Sequence, residues 1–425
     1  MTRSSIKFRS NCGSGVPLFA LGLIAGGAAV YHKNPLCGAL GLVLLAVPAI
    51  VFFLLRRTVR QVRVTSVVPE SVFEGESVEV NVHLHNGSRL PVFLPQVSEI
   101  FSPEVHAQKD VLFPFRVLPG EEVERSYKAN CVLPRGIYSV GPIAVSVSDP
   151  FGWFQLRKVI IKRQPIKVYP KFEEFGVGEK LGECLTLILE SITRFGRGES
   201  NEFFSVREYR IGDPLRRVHW GLTAHRGYPV VREYAPNTVG DLCIFLDLFR
   251  YAFLGTGRGS SLEQSVKIAA ALSAHALRLG YRVQLAARGA TDVRVPPGTN
   301  KSHLMAILDA LVAIKPDGRV RLDDLLDQAV RNVLPGATVI FMVSPYLRHS
   351  EKFEGHLASL RRNGARVVLV VFDDSTFHSL YELPRADSPI EKYIARAQAL
   401  GMDAYRVPCG GNLPAIFAAH AGATP

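Results

Sequence analysis

At 425 residues the chain is too long for one ordinary core, so two or three folded units are expected. Its six cysteines (Cys12, Cys37, Cys131, Cys184, Cys243 and Cys409) include no C-x-x-C pair and no histidine at zinc-finger spacing, which argues against a disulfide framework or structural metal and favours a reducing compartment. The net charge of +12 is spread along the chain, with no basic run longer than two, which argues against nucleic acid and fits a protein held against an anionic leaflet.

Residues 1–60 read as a membrane anchor. Val16 to Tyr31 carries no charge, and Leu36 to Leu55 is long enough to cross a hydrocarbon layer of about 30 Å. Two transmembrane helices are expected, at about 12–31 and 36–55. A signal peptide is the alternative for the first, but a second apolar segment follows it and no small-x-small site leads into a polar chain. Arg3, Lys7 and Arg9 precede the pair and Arg56, Arg57, Arg60 and Arg63 follow it, so both outer flanks and the bulk of the chain are expected inside a bacterial cytoplasmic membrane.

Residues 61–167 alternate apolar and polar side chains in short runs separated by Pro, Gly and Asn turns, as in Ser77 to Leu84 followed by His85-Asn86-Gly87-Ser88. That pattern predicts an all-β sandwich. Leu133 to Pro142 reads as a turn and a strand, and Asp149-Pro150-Phe151-Gly152-Trp153-Phe154 as an aromatic corner plugging one end.

Residues 168–240 form a connecting segment, with a helix expected near Leu181 to Thr193. Between Arg194 and Tyr234 stand eight arginines, no lysine and five acids. Arginine without lysine points to planar, bidentate contacts with carboxylates or phosphates. An internal lattice of ion pairs and a surface that binds a partner both fit this composition, and Trp220 reads as a core residue.

The spacing Arg207-x-Tyr209-x-x-Gly212-Asp213-x-x-Arg216-Arg217-x-x-Trp220, with the earlier Arg135-Gly136-Ile137-Tyr138 and Asp149-Pro150-Phe151-Gly152, resembles the "domain of unknown function 58" family of membrane-anchored bacterial proteins. The resemblance runs from about Arg57 to Asp374. It implies a von Willebrand A-like domain and functional pairing with a MoxR-type AAA+ ATPase. The chain departs from the family pattern at His219, where an acid or amide is usual, and at Gly221, where a lysine often stands.

From Asp241 on, short buried strands alternate with amphipathic helices: strands at Leu242 to Leu246, Arg282 to Ala287, Ala337 to Val343 and Arg366 to Phe372, and helices near 262–279, 302–314 and 353–363. This predicts a doubly wound parallel sheet over 241–425. Ligands of such sheets bind at the carboxyl ends of the strands. Metal-binding von Willebrand A domains place D-x-S-x-S there, whereas this chain has Asp247-Leu248-Phe249-Arg250-Tyr251, so Asp247 is read as the remnant of a metal motif and no metal is expected. Arg250 is expected to pair with Asp247 in place of the ion.

No phosphate-binding loop, nucleophile elbow or H-E-x-x-H helix occurs, and His219, His225, His275 and His303 read as satisfied or exposed side chains. No cofactor and no catalytic residue are expected. The chain is read as a non-catalytic assembly factor that binds other proteins; the alternative is an enzyme with an anion pocket at Arg207 to Trp220, using Asp213 and His219 as acid and base.

Overall fold

The structure is a computed structural model describing residues 4–9, 15–172, 203–209, 218–234, 240–249, 253–255, 257–290, 292–318, 333–343, 351–373, 375–377 and 390–410. The helix expected near Leu181 to Thr193, the residues Gly212, Asp213, Arg216, Arg217 and Arg250, and positions beyond 410 lie outside these. The chain is mixed α/β and divides into two compact units, Met1–Lys171 and Phe172–Pro425.

The first unit opens with strand β1 (Ser4–Arg9) and helices α1 (Gly15–His32) and α2 (Pro35–Gln61). Asn34 caps α2, its side chain accepting the Leu36 N–H at 3.0 Å, and Pro35 stands where a missing N–H costs nothing. The helices form an antiparallel pair through small residues. A Cβ on Gly41 would stand 2.8 Å from the nitrogen of Gly26, so the backbones touch, as packing in lipid favours. Outward they present Leu23, Ile24, Leu42 and Phe53, all exposed. Of the two expected spans, α2 is long and apolar enough to cross a bilayer on its own, whereas the apolar stretch of α1 is the shorter Phe19–His32.

The second helix outruns its apolar segment. Thr58 and Val59 stay buried while Arg56, Arg57 and Arg60 face outward, and the chain passes into β2 (Val62–Val67) without a linker. Lys158 secures this junction: its Nζ donates to the main-chain oxygens of Arg60 at 3.0 Å and Val62 at 2.7 Å, satisfying carbonyls a helix end leaves open. Burial pushes the Lys158 pKa down, with a contribution from Arg63.

The remaining strands of this unit are β3 (Ser71–Phe73), β4 (Ser77–Asn86), β5 (Val92–Phe101), β6 (Ala107–Leu112), β7 (Arg116–Val117), β8 (Glu122–Asn130), β9 (Gly136–Ser148), β10 (Gln155–Ile160) and β11 (Gln164–Tyr169). Strands β2, β4 and β8 make one antiparallel sheet, and the others make a second around β9. Along one edge β9 pairs first with β11 and then with β10. Gly141 stands at the changeover with φ +106°, and a Cβ there would lie 2.4 Å from the Lys162 carbonyl oxygen, so only glycine fits. Strand β1 pairs antiparallel with β10, from Ser4 opposite Ile160 to Arg9 opposite Gln155.

The two sheets share a core. Val62, Val82 and Leu84 from one meet Val97, Val145 and Leu156 from the other, and Leu55 and Val59 of α2 close it at one end. Period-2 alternation supplies these residues, since each strand turns one face inward. A buried carboxyl also joins the layers: Ser66 Oγ and Tyr127 Oη each donate to Glu99 at 2.8 Å. Burial raises the Glu99 pKa, opposed by these two hydrogen bonds.

The second unit begins with an antiparallel pair, β12 (Phe203–Glu208) and β13 (Val230–Tyr234), with helix α3 (Trp220–Arg226) between them in sequence. A six-stranded sheet follows: β14 (Asp241–Asp247), β15 (Arg282–Arg288), β16 (Asp292–Gly298), β17 (Thr338–Val343), β18 (Arg366–Phe372) and β19 (Asp403–Val407). Its helices are α4 (Ser261–Arg278), α5 (Lys301–Ala313), α6 (Glu351–Arg362) and α7 (Ile390–Ala399). The spatial order β16-β15-β14-β17-β18-β19 is the doubly wound order with its switch point between β14 and β17. Cys243 and Phe245 of β14 share a core with Leu357 of α6 and Ile390 of α7. The alternate residues Leu242, Ile244 and Leu246 are buried as well, and α4 lies against β14 and β15.

The expectation of a wholly parallel sheet needs one correction. Strand β16 runs antiparallel to β15 at the edge. It carries Pro296 and Pro297 and buries only Val295, and proline, which cannot donate to a ladder, belongs at such edges.

Candidate interaction site

The arginine motif is fastened at both ends to β13. Arg207 of β12 lies opposite Val231, and Val218 bridges to the same Val231 from its other edge. Two further main-chain bonds hold the ends: Tyr209 N donates to Pro229 O at 2.9 Å, and His219 N to Val230 O at 2.7 Å. Two strand spacings put the backbones of Arg207 and Val218 about 10 Å apart. Tyr209 itself is half-buried.

His219 then starts α3. Its ring Nδ1 accepts the Leu222 N–H at 3.3 Å, which leaves the ring proton on Nε2. Thr223 Oγ1 accepts from Val230 N at 3.0 Å, and Gly227, at φ +76°, ends the helix in the left-handed region. No residue of α3 is buried. Trp220, expected in the core, is therefore corrected to the surface: it is the first residue of a helix whose partly buried side is Leu222 and Thr223, and 67% of it is exposed. His225 and Arg226 of the same helix are also exposed.

At the carboxyl edge of the large sheet, Asp247 ends β14, and its Oδ1 accepts the Phe249 N–H at 2.9 Å. Leu248 is buried in the core. Of the described positions after Asp247, Leu248 and Phe249 are apolar and offer no side-chain oxygen to a hard cation. Two strands away, about 10 Å by strand spacing, Asp373 follows β18 and is buried. Its Oδ1 accepts from Ser375 Oγ at 2.7 Å, and its Oδ2 accepts from Nε and Nη2 of Arg406 at 2.8 Å each. A guanidinium therefore neutralises this edge. The expected pair of Arg250 with Asp247 lies outside the described residues, and no local motif signals Arg406, which stands 33 residues from Asp373.

Similar pairs tie neighbouring strands together elsewhere, Arg282 to Asp241 and Arg366 to Asp403, each with a contact at 2.7 Å. Two histidines serve the fold: His303 Nε2 lies 2.6 Å from Val283 O, and His275 Nδ1 lies 2.8 Å from Arg278 Nη2. Among the described residues no group of three or more His, Cys, Asp or Glu could hold a metal ion.

The two earlier motif elements are structural. Tyr138 Oη donates to Pro134 O at 2.6 Å. Buried Asp149 accepts the N–H of Phe151 on Oδ1 and that of Phe154 on Oδ2. This turns Phe154 inward onto Phe52 of α2 and leaves Phe151 stacked on Trp153 with ring centroids 4.6 Å apart.

Residues 205–382 match the family described as Protein of unknown function DUF58. An uncharacterized protein of Mycobacterium tuberculosis is 29% identical over 121 residues, 28% of this chain and 37% of that protein. The uncharacterized protein YeaD of Bacillus subtilis is 23% identical over 245 residues, covering 56% of this chain. The chain thus spans between 37% and 58% of the length of these relatives. Among solved structures, a CARDB domain from Pyrococcus furiosus is similar at 17% identity over 25% of this chain and 94% of that domain, but a TM-score of 0.19 carries no argument. The stretch matched by this family model, residues 205–382, contains the whole motif from Arg207 to Trp220 on which the resemblance rests.

Proposed function

We propose that the protein is a non-catalytic, membrane-anchored platform that recruits other proteins, with a MoxR-type AAA+ ATPase as the leading partner. The observation carrying this reading is Trp220: a large aromatic side chain is held outward by a capped helix inside the family motif. Exposed aromatic and arginine residues are the anchors on which interfaces concentrate their binding energy. Of the two groups that the enzyme alternative would use, His219 spends Nδ1 on a helix cap, and Asp213 lies outside the described residues.

A von Willebrand A-like reading of the second unit is supported by its strand order and its antiparallel edge strand β16. In that reading the metal position is degenerate, and recognition rests on shape and charge. A two-span anchor is supported by the glycine contacts between α1 and α2 and by their apolar outer faces. Strand β1 before α1 and strand β2 after α2 belong to the same unit, which favours a hairpin with both ends on the cytoplasmic side.

The test is a crosslinking pull-down of full-length protein from native membranes, repeated with Arg216→Ala and Arg217→Ala combined. The platform reading expects an AAA+ ATPase to be enriched by the natural protein and lost by the folded double variant. Equal capture by both would remove the motif from the interface.

A further inference from the structure

The end of the β unit at which α2 arrives carries exposed apolar side chains among its described residues. Leu90, Leu94, Phe115, Leu118 and Phe151 are all exposed, Leu94 near the start of β5 and the others in connections between strands. They form one rim. Phe93 meets Phe115 with ring centroids 6.0 Å apart, and Leu94 N donates to Phe115 O at 2.8 Å. Asn86 Nδ2 donates to the carbonyls of both Leu90 and Leu118.

The height of this rim along α2 can be read from the contacts. An apolar groove of about 260 Å³ is lined by Val51, Leu54 and Leu55 of α2 on one side and by Leu90, Pro91 and Phe151 on the other. Arg56 is the first charged residue after the apolar segment. At about 1.5 Å of rise per residue, Leu54 lies about 3 Å and Val51 about 7 Å on the apolar side of it. The rim is thus level with the last turns of the apolar segment. Nothing allows it to ride higher: no linker separates α2 from β2, Lys158 caps the helix end, and Leu55, Val59 and Phe52 are packed into the unit.

We propose that this rim is itself embedded in the bilayer interface, so that the β unit sits partly sunk in the membrane. The inference rests on the reading of α2 as a membrane-crossing helix. Arg56, Arg57, Arg89 and Arg116, next in sequence to rim or groove residues, are exposed and suit anionic headgroups, as arginines that keep their stems on apolar surface and their charge in the headgroup layer do. Side chains of this kind enter the boundary between headgroups and acyl chains by about 5–10 Å.

The chain has two tryptophans, and Trp153 is stacked on the rim residue Phe151. Full-length protein carrying Trp220→Phe reports from Trp153 alone. It is placed in nanodiscs of phosphatidylglycerol with phosphatidylcholine that is either plain or brominated near the top of its acyl chains. Bromine is expected to quench Trp153 about twofold or more, as for a shallow interfacial residue. A companion carrying Trp153→Phe, Trp220→Phe and Phe53→Trp reports on the outer face of α2. If the companion is quenched and Trp153 is not, the rim lies in water and the inference falls while the anchor stands. If neither is quenched, the anchor reading fails and takes the inference with it.

Discussion

Phe52 of α2 meets Phe154 edge to face, with ring centroids 5.6 Å apart. The contact makes the apolar helix part of the β unit's own core, where Phe154, Leu55 and Val59 lie together. A helix joined in this way transmits its orientation to the β unit, since no linker intervenes between α2 and β2.

Asp149 holds that corner in place. Asp149→Asn replaces one accepting oxygen with an amide nitrogen and leaves the N–H of either Phe151 or Phe154 unpaired in a buried site. The expected loss is about 1–3 kcal/mol. Circular dichroism melts in nanodiscs should show a midpoint lower by several degrees. An unchanged midpoint would mean that the turn stands without its carboxylate.

Glu99 makes the β unit sensitive to pH. Its pKa is raised because burial disfavours the ionised form more than Tyr127 and Ser66 favour it. Ionising it is harder folded than unfolded, so its contribution is fully present below the ordinary carboxylate pKa and is lost as pH rises through the raised folded value. Glu99→Gln cannot ionise. Urea unfolding of the variant, from mildly acidic to neutral pH, should lose less stability than the natural protein does. Parallel curves for the two would contradict this account.

The edge at Asp373 should behave as a closed ion pair. Arg406→Ala leaves a buried carboxylate with Ser375 as its described partner and is expected to cost about 1–3 kcal/mol. Added Mg²⁺ is expected to leave the melting temperature of the natural protein unchanged. A rise that grows with Mg²⁺ concentration would reveal a ligand site, since anything that binds the native state alone stabilises it.

Much of this architecture was legible because burial on both faces writes itself into composition. Strands β14, β17 and β18 are nearly continuous runs of apolar residues, and the sequence reading bounded them to within a residue or two. Edge strand β16 carries no such run, since Pro296 and Pro297 interrupt it and only Val295 is buried. The end of α2 escaped because Arg56 and Arg57 close the apolar run, although Thr58 and Val59 continue the helix with a buried face. The sites were harder to read than the strands. Tryptophan is usually well buried, and α3, which buries none of its residues fully, leaves Trp220 exposed. The Arg406–Asp373 pair joins two strands through tertiary register that no local motif encodes.

The recruitment account is tested most directly at position 220. Trp220 is replaced by the photo-crosslinking residue p-benzoylphenylalanine in full-length protein, and illuminated native membranes are compared with those carrying the same residue at Leu279, an exposed position next to α4. The account predicts discrete adducts from position 220, an AAA+ ATPase among them, and none of these from position 279. An inserted, folded protein that yields no adduct at position 220 would contradict it.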